Sequence, residues 1–112
     1  MVKIVGVLNV TPDSFSDGRK FYKINDALKH AQKLISEGAD IIDVGGESSR
    51  PGSIVVSEDE EIRRVIPVIK EIKKKFPKIP VSVDTYKPKV ALNAIDSGAE
   101  IVNDIYGLRW RA

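Results

Sequence analysis

The sequence predicts an α/β fold of parallel β-strands that alternate with α-helices, and three observations support this prediction. Short β-branched runs alternate with segments of helical hydrophobic spacing in the order βαβαβαβ. Residues 38–43 (GADIID) and 98–103 (GAEIVN) repeat a glycine, a strand and a final polar residue in the same phase. No linker divides the 112 residues. Repeated βα units suit a barrel, and a small open α/β sheet is the alternative.

The first half of the chain contains two predicted strands and one predicted helix. Residues 2–10 form a nearly continuous apolar run, which predicts a strand buried on both faces of a parallel sheet. From Ile24 onward the apolar residues have helical spacing, and Gly38 is a candidate helix C-cap. Residues 40–44 then predict a second buried strand, which two glycines close.

A second helix is predicted from a capping motif and an apolar stripe. Ser57 and Glu60 have the spacing of a capping box. The stripe that follows consists of five branched apolar residues, Ile62, Val65, Ile66, Ile69 and Ile72. Pro67 lies within this helix and is expected to kink it.

The last part of the chain completes the alternation. Residues 79–83 predict a third strand. Pro88 suits the first turn of a third helix, which Gly98 ends, and residues 101–102 belong to a fourth strand.

Composition and charge exclude several classes of protein. The chain is 42% hydrophobic and 30% charged, which is typical of a folded globular domain. A formal net charge of +2 gives no bias toward nucleic acid or an anionic membrane, and neither partner is expected. Cysteine is absent, so disulfides and thiolate metal sites are excluded. Without a signal peptide or an apolar run of roughly 20 residues, the expected location is the cytoplasm.

Polar residues stand at the ends of all the predicted strands. These residues are Asn9, Asp43, Asp84 and the pair Asn103 and Asp104. One such residue is explained by ordinary turn chemistry. Several together indicate a binding site, because the carboxyl ends of parallel strands meet at one face of the fold.

Two long polar loops follow the first two strands. Residues 10–18 (VTPDSFSDG) are too long and too aromatic for a simple connection, which is typical of a functional lid. Residues 45–53 (GGESSRPGS) combine small residues and hydroxyls with Arg50, whose guanidinium could bind phosphate. This second loop is either an anion site or a plain surface loop.

Four segments, LNVTPDSFSDG (8–18), GADIIDVGGESSRPG (38–52), SVDTYKP (82–88) and IVNDIYGLR (101–109), resemble successive signatures of the dihydropteroate synthase family. The resemblance covers essentially the whole chain. It implies that residues 1–112 form a pterin-binding domain of about four βα units, the N-terminal half of a (β/α)8 TIM barrel. Family sites on later strands have no counterpart here, so the isolated chain is expected to be inactive.

The resemblance also implies an activity. The family joins 6-hydroxymethyl-7,8-dihydropterin diphosphate to p-aminobenzoate, and the products are 7,8-dihydropteroate and pyrophosphate, in folate biosynthesis. A magnesium ion takes part, and the full-length enzyme is expected to be a homodimer. The pterin C–O bond is thought to ionise first and to leave a methylene cation that the arylamine attacks. A nearby carboxylate would stabilise this cation electrostatically.

Eight site residues follow from the resemblance: Asn9, Phe15, Asp17, Ser49, Arg50, Pro51, Asp84 and Asn103. Asn9 would ligate magnesium or the diphosphate, whereas Asp84 and Asn103 would hydrogen-bond the pterin. Ser49 and Arg50, with Pro51, would contact the diphosphate and the aminobenzoate. Phe15 and Asp17 would close over the site, and the catalytic candidates are Asp84, Arg50 and Asp17. Ser49 stands where the family usually has threonine, and Arg19 stands where a second glycine is common.

Two other functions remain open. The folate-binding domain of a corrinoid methyltransferase shares the barrel and the polar strand ends, although it has no need of the TPDSFSDG loop. A non-catalytic half-barrel that binds a pterin or associates with itself is the other alternative. His30 is interpreted as a surface residue, and the lysines between Lys70 and Lys78 as a solvated helix end.

Overall fold

The computed structural model describes residues 2–10, 20–46 and 56–103, without the side chains of residues 20–23. Seven elements alternate along these residues: β1 (Val5–Asn9), α1 (Lys20–Ser36), β2 (Ile41–Gly45), α2 (Glu58–Lys75), β3 (Val81–Asp84), α3 (Pro88–Asp96) and β4 (Ile101–Asn103). The strands form one parallel sheet in the order β1-β2-β3-β4. The predicted fold class is confirmed. None of the described helices is both long and apolar enough to cross a membrane.

The hydrophobic core lies between the sheet and the helices. Alternate residues of the strands point toward it, because side chains in a strand alternate between the two faces. Gly6 of β1, for example, lies against Leu34 of α1. The fully buried members of the core include Ile42, Val44, Val65, Ile69, Ile72, Val81, Val83 and Val90.

The opposite face of the sheet is open at its two edges. Val5 and Val7 of β1 are 50% and 52% exposed, and Ile101 of β4 is 39% exposed. The prediction that the first strand is buried on both faces is therefore wrong. The physical reason is that Gly6 and Leu8 point toward the helical layer, whereas the residues between them point away from it. We refer below to the side of the sheet that carries Val5, Val7 and Ile101 as the open face.

The sequence repeat is also a structural repeat. Gly38 and Gly98 both have positive φ angles, +108° and +118°, which glycine adopts without steric cost. The next residue in each repeat donates its amide to a carbonyl of the preceding helix, Ala39 to Leu34 at 3.0 Å and Ala99 to Ala94 at 2.9 Å. Both helices therefore end in the same geometry and deliver the chain into the following strand in the same direction.

The predicted boundaries shift by a few residues. Helix α1 begins at Lys20, four residues before Ile24, and β2 ends at Gly45 instead of Val44. The cap of α2 is confirmed, because Ser57 Oγ accepts a hydrogen bond from the Glu60 amide at 3.1 Å. Helix α2 continues through Pro67, and a kink there stays a prediction. His30 is exposed, as predicted.

One lysine of the basic stretch departs from the predicted role. Lys73 Nζ donates to the carbonyls of Pro77 and Ile79 at 3.2 and 2.9 Å and forms an ion pair with Glu100 at 2.8 Å. The chain turns from α2 into β3 at this point, and its free carbonyls need a donor. Lys73 is therefore a structural residue that fastens this turn to the start of β4.

Candidate active site at the carboxyl ends of the strands

The last residues of the four strands lie level with one another across the sheet. The parallel register pairs Asn9 with Gly45, Gly45 with Asp84, and Asp84 with Asn103. Residues paired in this way in a parallel sheet place their side chains on the same face. We call these four residues the strand-end row. It brings together on the open face the three described residues predicted to bind substrate.

Asp43 does not belong to this row. The register pairs it with Val7 and Ser82, which lie two residues before the strand ends. The prediction that Asp43 ends its strand is therefore wrong, because β2 continues to Gly45. Asp43 still lies on the same face as the strand-end row, one layer deeper.

Asp43 is the centre of a small polar network beneath the row. Its side chain is 4% exposed, and its Oδ1 accepts a hydrogen bond from Ser82 Oγ at 2.5 Å. Burial raises the pKa of Asp43 above its ordinary value, while hydrogen bonds from Ser82 and Asn103 partly oppose that rise. Asn103 thereby links the network to the strand-end row, and its hydrogen bond to Asp43 holds the Asn103 amide side chain in place.

Gly45 leaves open the space between two polar members of the row. A Cβ placed on Gly45 would lie 3.7 Å from Asn9 Oδ1 and 3.5 Å from Asp84 Cβ. A side chain at this position would fill the gap between the Asn9 amide and the Asp84 carboxylate. The absence of a side chain therefore gives a ligand access to both groups.

Asp84 is half-buried, and its Oδ1 is sealed from solvent. The turn that follows is organised by Thr85, whose amide donates to the Asn103 carbonyl at 3.0 Å and whose Oγ1 accepts from the Lys87 amide at 3.2 Å. These bonds hold the end of β3 against β4. A carboxylate with one oxygen sealed from solvent interacts more strongly with a nearby charge than a fully exposed one does, because the local dielectric constant is lower.

Five of the predicted site residues, Phe15, Asp17, Ser49, Arg50 and Pro51, lie outside the described residues. Within the described ranges, no group of three or more His, Cys, Asp or Glu side chains could hold a metal. Among the described residues, Asn9 is the one predicted to bind magnesium, and its side chain offers a neutral amide oxygen. It fits a magnesium ion that is held mainly by water and phosphate oxygens, which is how Mg²⁺ is often bound in phosphate sites.

Three contributions to the site were not predicted from the sequence. The Asp43–Ser82 bond could have been found in part, because Ser82 lies two residues before Asp84 and therefore faces the same way. Gly45 was predicted to close a strand and to begin a loop of small residues, but the opening that it leaves between Asn9 and Asp84 was not predicted. The contacts of helix α2 with the strand ends, described below, join residues that are distant in the sequence and left no local signal.

Comparisons with known proteins give a consistent result. Residues 5–111 match the profile of the family described as pterin binding enzyme. The chain is 62% identical over 106 residues to a dihydropteroate synthase of Clostridium beijerinckii, covering 95% of this chain and 39% of that protein. It is 58% identical over 106 residues to the Bacillus subtilis dihydropteroate synthase, covering 95% of this chain and 37% of the relative. The chain thus spans less than half the length of these relatives.

Solved structures agree with the fold. A Clostridium difficile dihydropteroate synthase crystallised in the presence of pteroic acid matches with a TM-score of 0.88 and 56% identity, over 96% of this chain and 41% of that one. A Xanthomonas albilineans dihydropteroate synthase with 4-aminobenzoic acid matches with a TM-score of 0.85 and 48% identity, over 96% and 39% of the two chains. The four strands and three helices of the described residues thus correspond to part of a (β/α)8 barrel.

Proposed function

Because this chain belongs to the pterin-binding enzyme family, we propose that it forms the N-terminal part of a dihydropteroate synthase. The reaction breaks the C–O bond between the pterin methylene and its diphosphate and forms a C–N bond to p-aminobenzoate. Pyrophosphate leaves with the electrons of the broken bond, and the arylamine nitrogen loses a proton. Residues 1–112 contribute part of the substrate site, and in a complete synthase the remainder would come from the portion of the enzyme that this chain does not span.

The single observation that carries this proposal is the strand-end row. It sets an amide, an open glycine, a carboxylate and a second amide side by side on one face. A pterin ring presents N–H and amino groups along one edge, and such an edge needs fixed acceptors. Asp84 and Asn103 offer these acceptors in adjacent register positions, so both are assigned to the pterin.

Asp84 has a second role in the proposed mechanism. As the C–O bond ionises, positive charge develops on the pterin methylene, and a fixed carboxylate lowers the energy of that charge. Asp84 acts electrostatically and forms no bond to the substrate. Its half-buried position strengthens the effect, because water screens the interaction less there than at the surface.

Asn9 stands at the other end of the proposed site, next to the opening at Gly45. We assign its amide oxygen to the diphosphate or to a magnesium ion bound to the diphosphate. When bound, magnesium would neutralise charge on the leaving pyrophosphate. Phe15, Asp17, Ser49, Arg50 and Pro51, outside the described residues, complete the proposal as lid, diphosphate and aminobenzoate contacts.

The proposal extends to location and assembly. A cytoplasmic location agrees with the absence of cysteine. A homodimer of the full-length enzyme is also part of the proposal. The matched relatives are dihydropteroate synthases, which favours this activity over a corrinoid methyltransferase.

A hybrid enzyme tests the function. In this hybrid the chain replaces the matched stretch of the Bacillus subtilis dihydropteroate synthase, which is 58% identical to it. We expect the purified hybrid to form 7,8-dihydropteroate from the pterin diphosphate and p-aminobenzoate. Product formation is followed by chromatography with radiolabelled p-aminobenzoate.

A second hybrid provides the control. It carries the matched stretch of the Clostridium beijerinckii enzyme on the same Bacillus remainder. If this control is active and the hybrid with the present chain is folded but inactive, the proposed function is wrong.

A further inference from the structure

Helix α2 buries two charged side chains at its amino-terminal end. Glu61 is 1% exposed and Arg64 is 8% exposed, whereas neighbouring charged residues of the same helix, such as Asp59 and Arg63, are exposed. Removing a charge from water costs several kcal/mol unless a partner compensates for it. Each of these residues should therefore have a specific partner, and the partners show which segments of the chain the two side chains bind.

Glu61 is tied to the segment that follows β3. Its Oε1 accepts a hydrogen bond from Lys87 Nζ at 2.5 Å, and the Lys87 side chain is itself only 12% exposed. Lys87 lies three residues after Asp84. The pair therefore joins α2 to the turn that carries Asp84 into α3.

Arg64 is tied to the segment that follows β2. Its Nη1 donates to the Gly46 carbonyl at 2.9 Å, and its Nε donates to Glu60 Oε2 at 3.0 Å. Gly46 follows directly after Gly45, which is the register partner of Asp84. The same turns of α2 therefore hold the segments that directly follow both central strands of the sheet.

Close packing reinforces these two bonds. A Cβ on Gly46 would lie 2.9 Å from Val65 Cγ1 and 3.2 Å from Glu61 Cγ, which is too close for any residue but glycine to fit without displacement. The helix is thus in direct contact with the end of β2. We call Glu61, Arg64 and their partners Gly46 and Lys87 the α2 bracket.

Stability alone does not account for the α2 bracket. A buried ion pair is often no more stabilising than well-packed apolar residues of similar volume. A hydrogen-bonded ion pair adds a defined geometry, because its hydrogen bonds depend on the orientation of the two groups as well as on their distance. Catalysis is sensitive to such geometry, because a displacement of about 1 Å can cost on the order of a hundredfold in rate.

We propose that Glu61 and Arg64 are positioning residues of the synthase reaction, which hold the ends of β2 and β3 so that Asp84 is correctly placed toward the reacting pterin methylene. This inference rests on the proposed function. Neither residue contacts the substrate, and both act through the strand ends. Their loss therefore affects the turnover number more than it affects folding.

The test separates position from stability. In the hybrid enzyme, the double variant Glu61→Leu/Lys87→Met replaces the buried ion pair with apolar side chains of similar size. We expect Tm to stay at or above the value of the parent hybrid, while kcat falls about tenfold or more and KM for p-aminobenzoate changes little. Arg64→Met is expected to lower kcat in the same way, and Arg64→Lys to restore only part of it, because lysine lacks the planar fork.

Asp59→Asn is the matched control. Asp59 also pairs α2 with α3, through Lys89 at 3.7 Å, but both side chains are largely exposed, at 76% and 60%. This variant should keep the parent kcat. If the double variant does not fold, Glu61→Gln takes its place, with the same loss of kcat per folded molecule expected.

The outcomes are distinguishable. A parent hybrid that is folded but inactive, beside an active control hybrid, contradicts the proposed function itself. An active parent whose folded Glu61 variants retain full kcat contradicts only the α2 bracket, because it would then be a purely structural feature.

Discussion

At the scale of single residues, the polar groups of the site divide into two layers with different tasks. The strand-end row lies at the surface to which the substrate is proposed to bind, and Asp43 with Ser82 lies beneath it. A buried carboxylate in the lower layer costs stability, whereas one in the upper layer can stabilise a developing charge. The two aspartates should therefore respond to substitution in opposite ways.

Asp84→Asn nearly preserves shape but removes the charge that faces the proposed pterin cation. In the hybrid enzyme it should lower turnover at least about a hundredfold, which corresponds to about 3 kcal/mol of transition-state stabilisation. Tm should fall little. Both are measured on the same preparation. A variant that is less stable but fully active would identify Asp84 as a turn residue and displace the proposed pterin site.

Asp43→Asn should have the reverse effect on stability. Because burial raises the pKa of Asp43 in the folded state, protonation stabilises the native protein at low pH, and this contribution is lost as pH rises through the raised pKa. Asparagine avoids that loss and can still accept from Ser82. The variant should therefore have a higher Tm at neutral pH, with the gain shrinking as pH falls toward 3.8, the ordinary value.

Thermal unfolding of the parent chain and of Asp43→Asn, measured at neutral pH and near pH 3.8, checks this prediction. Asp26→Asn, at an exposed position of α1, is the control and should leave Tm at neutral pH close to that of the parent. An Asp43→Asn variant that is less stable than the parent at neutral pH would mean that the hydrogen bonds from Ser82 and Asn103 outweigh the cost of burial.

At the scale of elements, the helices of the described chain do more than cover the sheet. Helix α2 begins with a side-chain cap at Ser57, and within two turns it contacts Gly46, directly after β2, and Lys87, three residues after β3. The position at which the helix begins therefore determines where the α2 bracket acts. The repeated glycine turns at Gly38 and Gly98 similarly determine where β2 and β4 begin.

Ser57→Ala should destabilise the chain by about 1 kcal/mol, because the Glu60 amide loses its side-chain acceptor. Urea unfolding measures the change. Ser36→Ala at the end of α1 is the matched control, since Ser36 Oγ donates only to the Lys33 carbonyl and caps no free amide. Equal effects of the two substitutions would argue against a specific role for the cap.

Most of the fold, but only part of the site, could be predicted from the sequence. The position of Asn9, Asp84 and Asn103 together at one edge of the sheet was predicted, because parallel strands bring their carboxyl ends together, whereas their roles in binding stay predictions. The deeper position of Asp43 was not predicted, because β2 continues to Gly45 and Asp43 therefore lies two residues before the end of the strand. The Glu61–Lys87 pair joins residues 26 positions apart, and no periodicity signals such a partner.

At the scale of the whole molecule, the open face is the feature that remains to be explained. Its apolar residues Val5, Val7 and Ile101 are largely or partly exposed, and β1 and β4 are both edges of the described sheet. In a closed barrel this face lines the interior. The chain covers less than half the length of its relatives, so other strands would meet this face in a full-length synthase.

The isolated 112-residue chain should therefore show no measurable synthase turnover. Part of the proposed substrate site lies in the portion of a synthase that this chain does not span, and without that portion the open face is not enclosed, which weakens electrostatic stabilisation of the transition state. The assay is the same as for the hybrid, at equal protein concentration. Robust product formation by the pure chain would show that the strand-end row and its loops suffice for catalysis.

The most direct measurement of the central claim is the affinity of the hybrid enzyme for pteroic acid, determined by isothermal titration calorimetry. Dissociation constants are compared for the parent hybrid, for Asp84→Asn and for the distant surface variant Lys89→Ala. If the strand-end row is the pterin site, the parent binds one equivalent, Asp84→Asn weakens binding about tenfold or more, and Lys89→Ala binds like the parent. Equal affinity of all three proteins would contradict the account, because the pterin would then bind elsewhere than at the carboxyl ends of these strands.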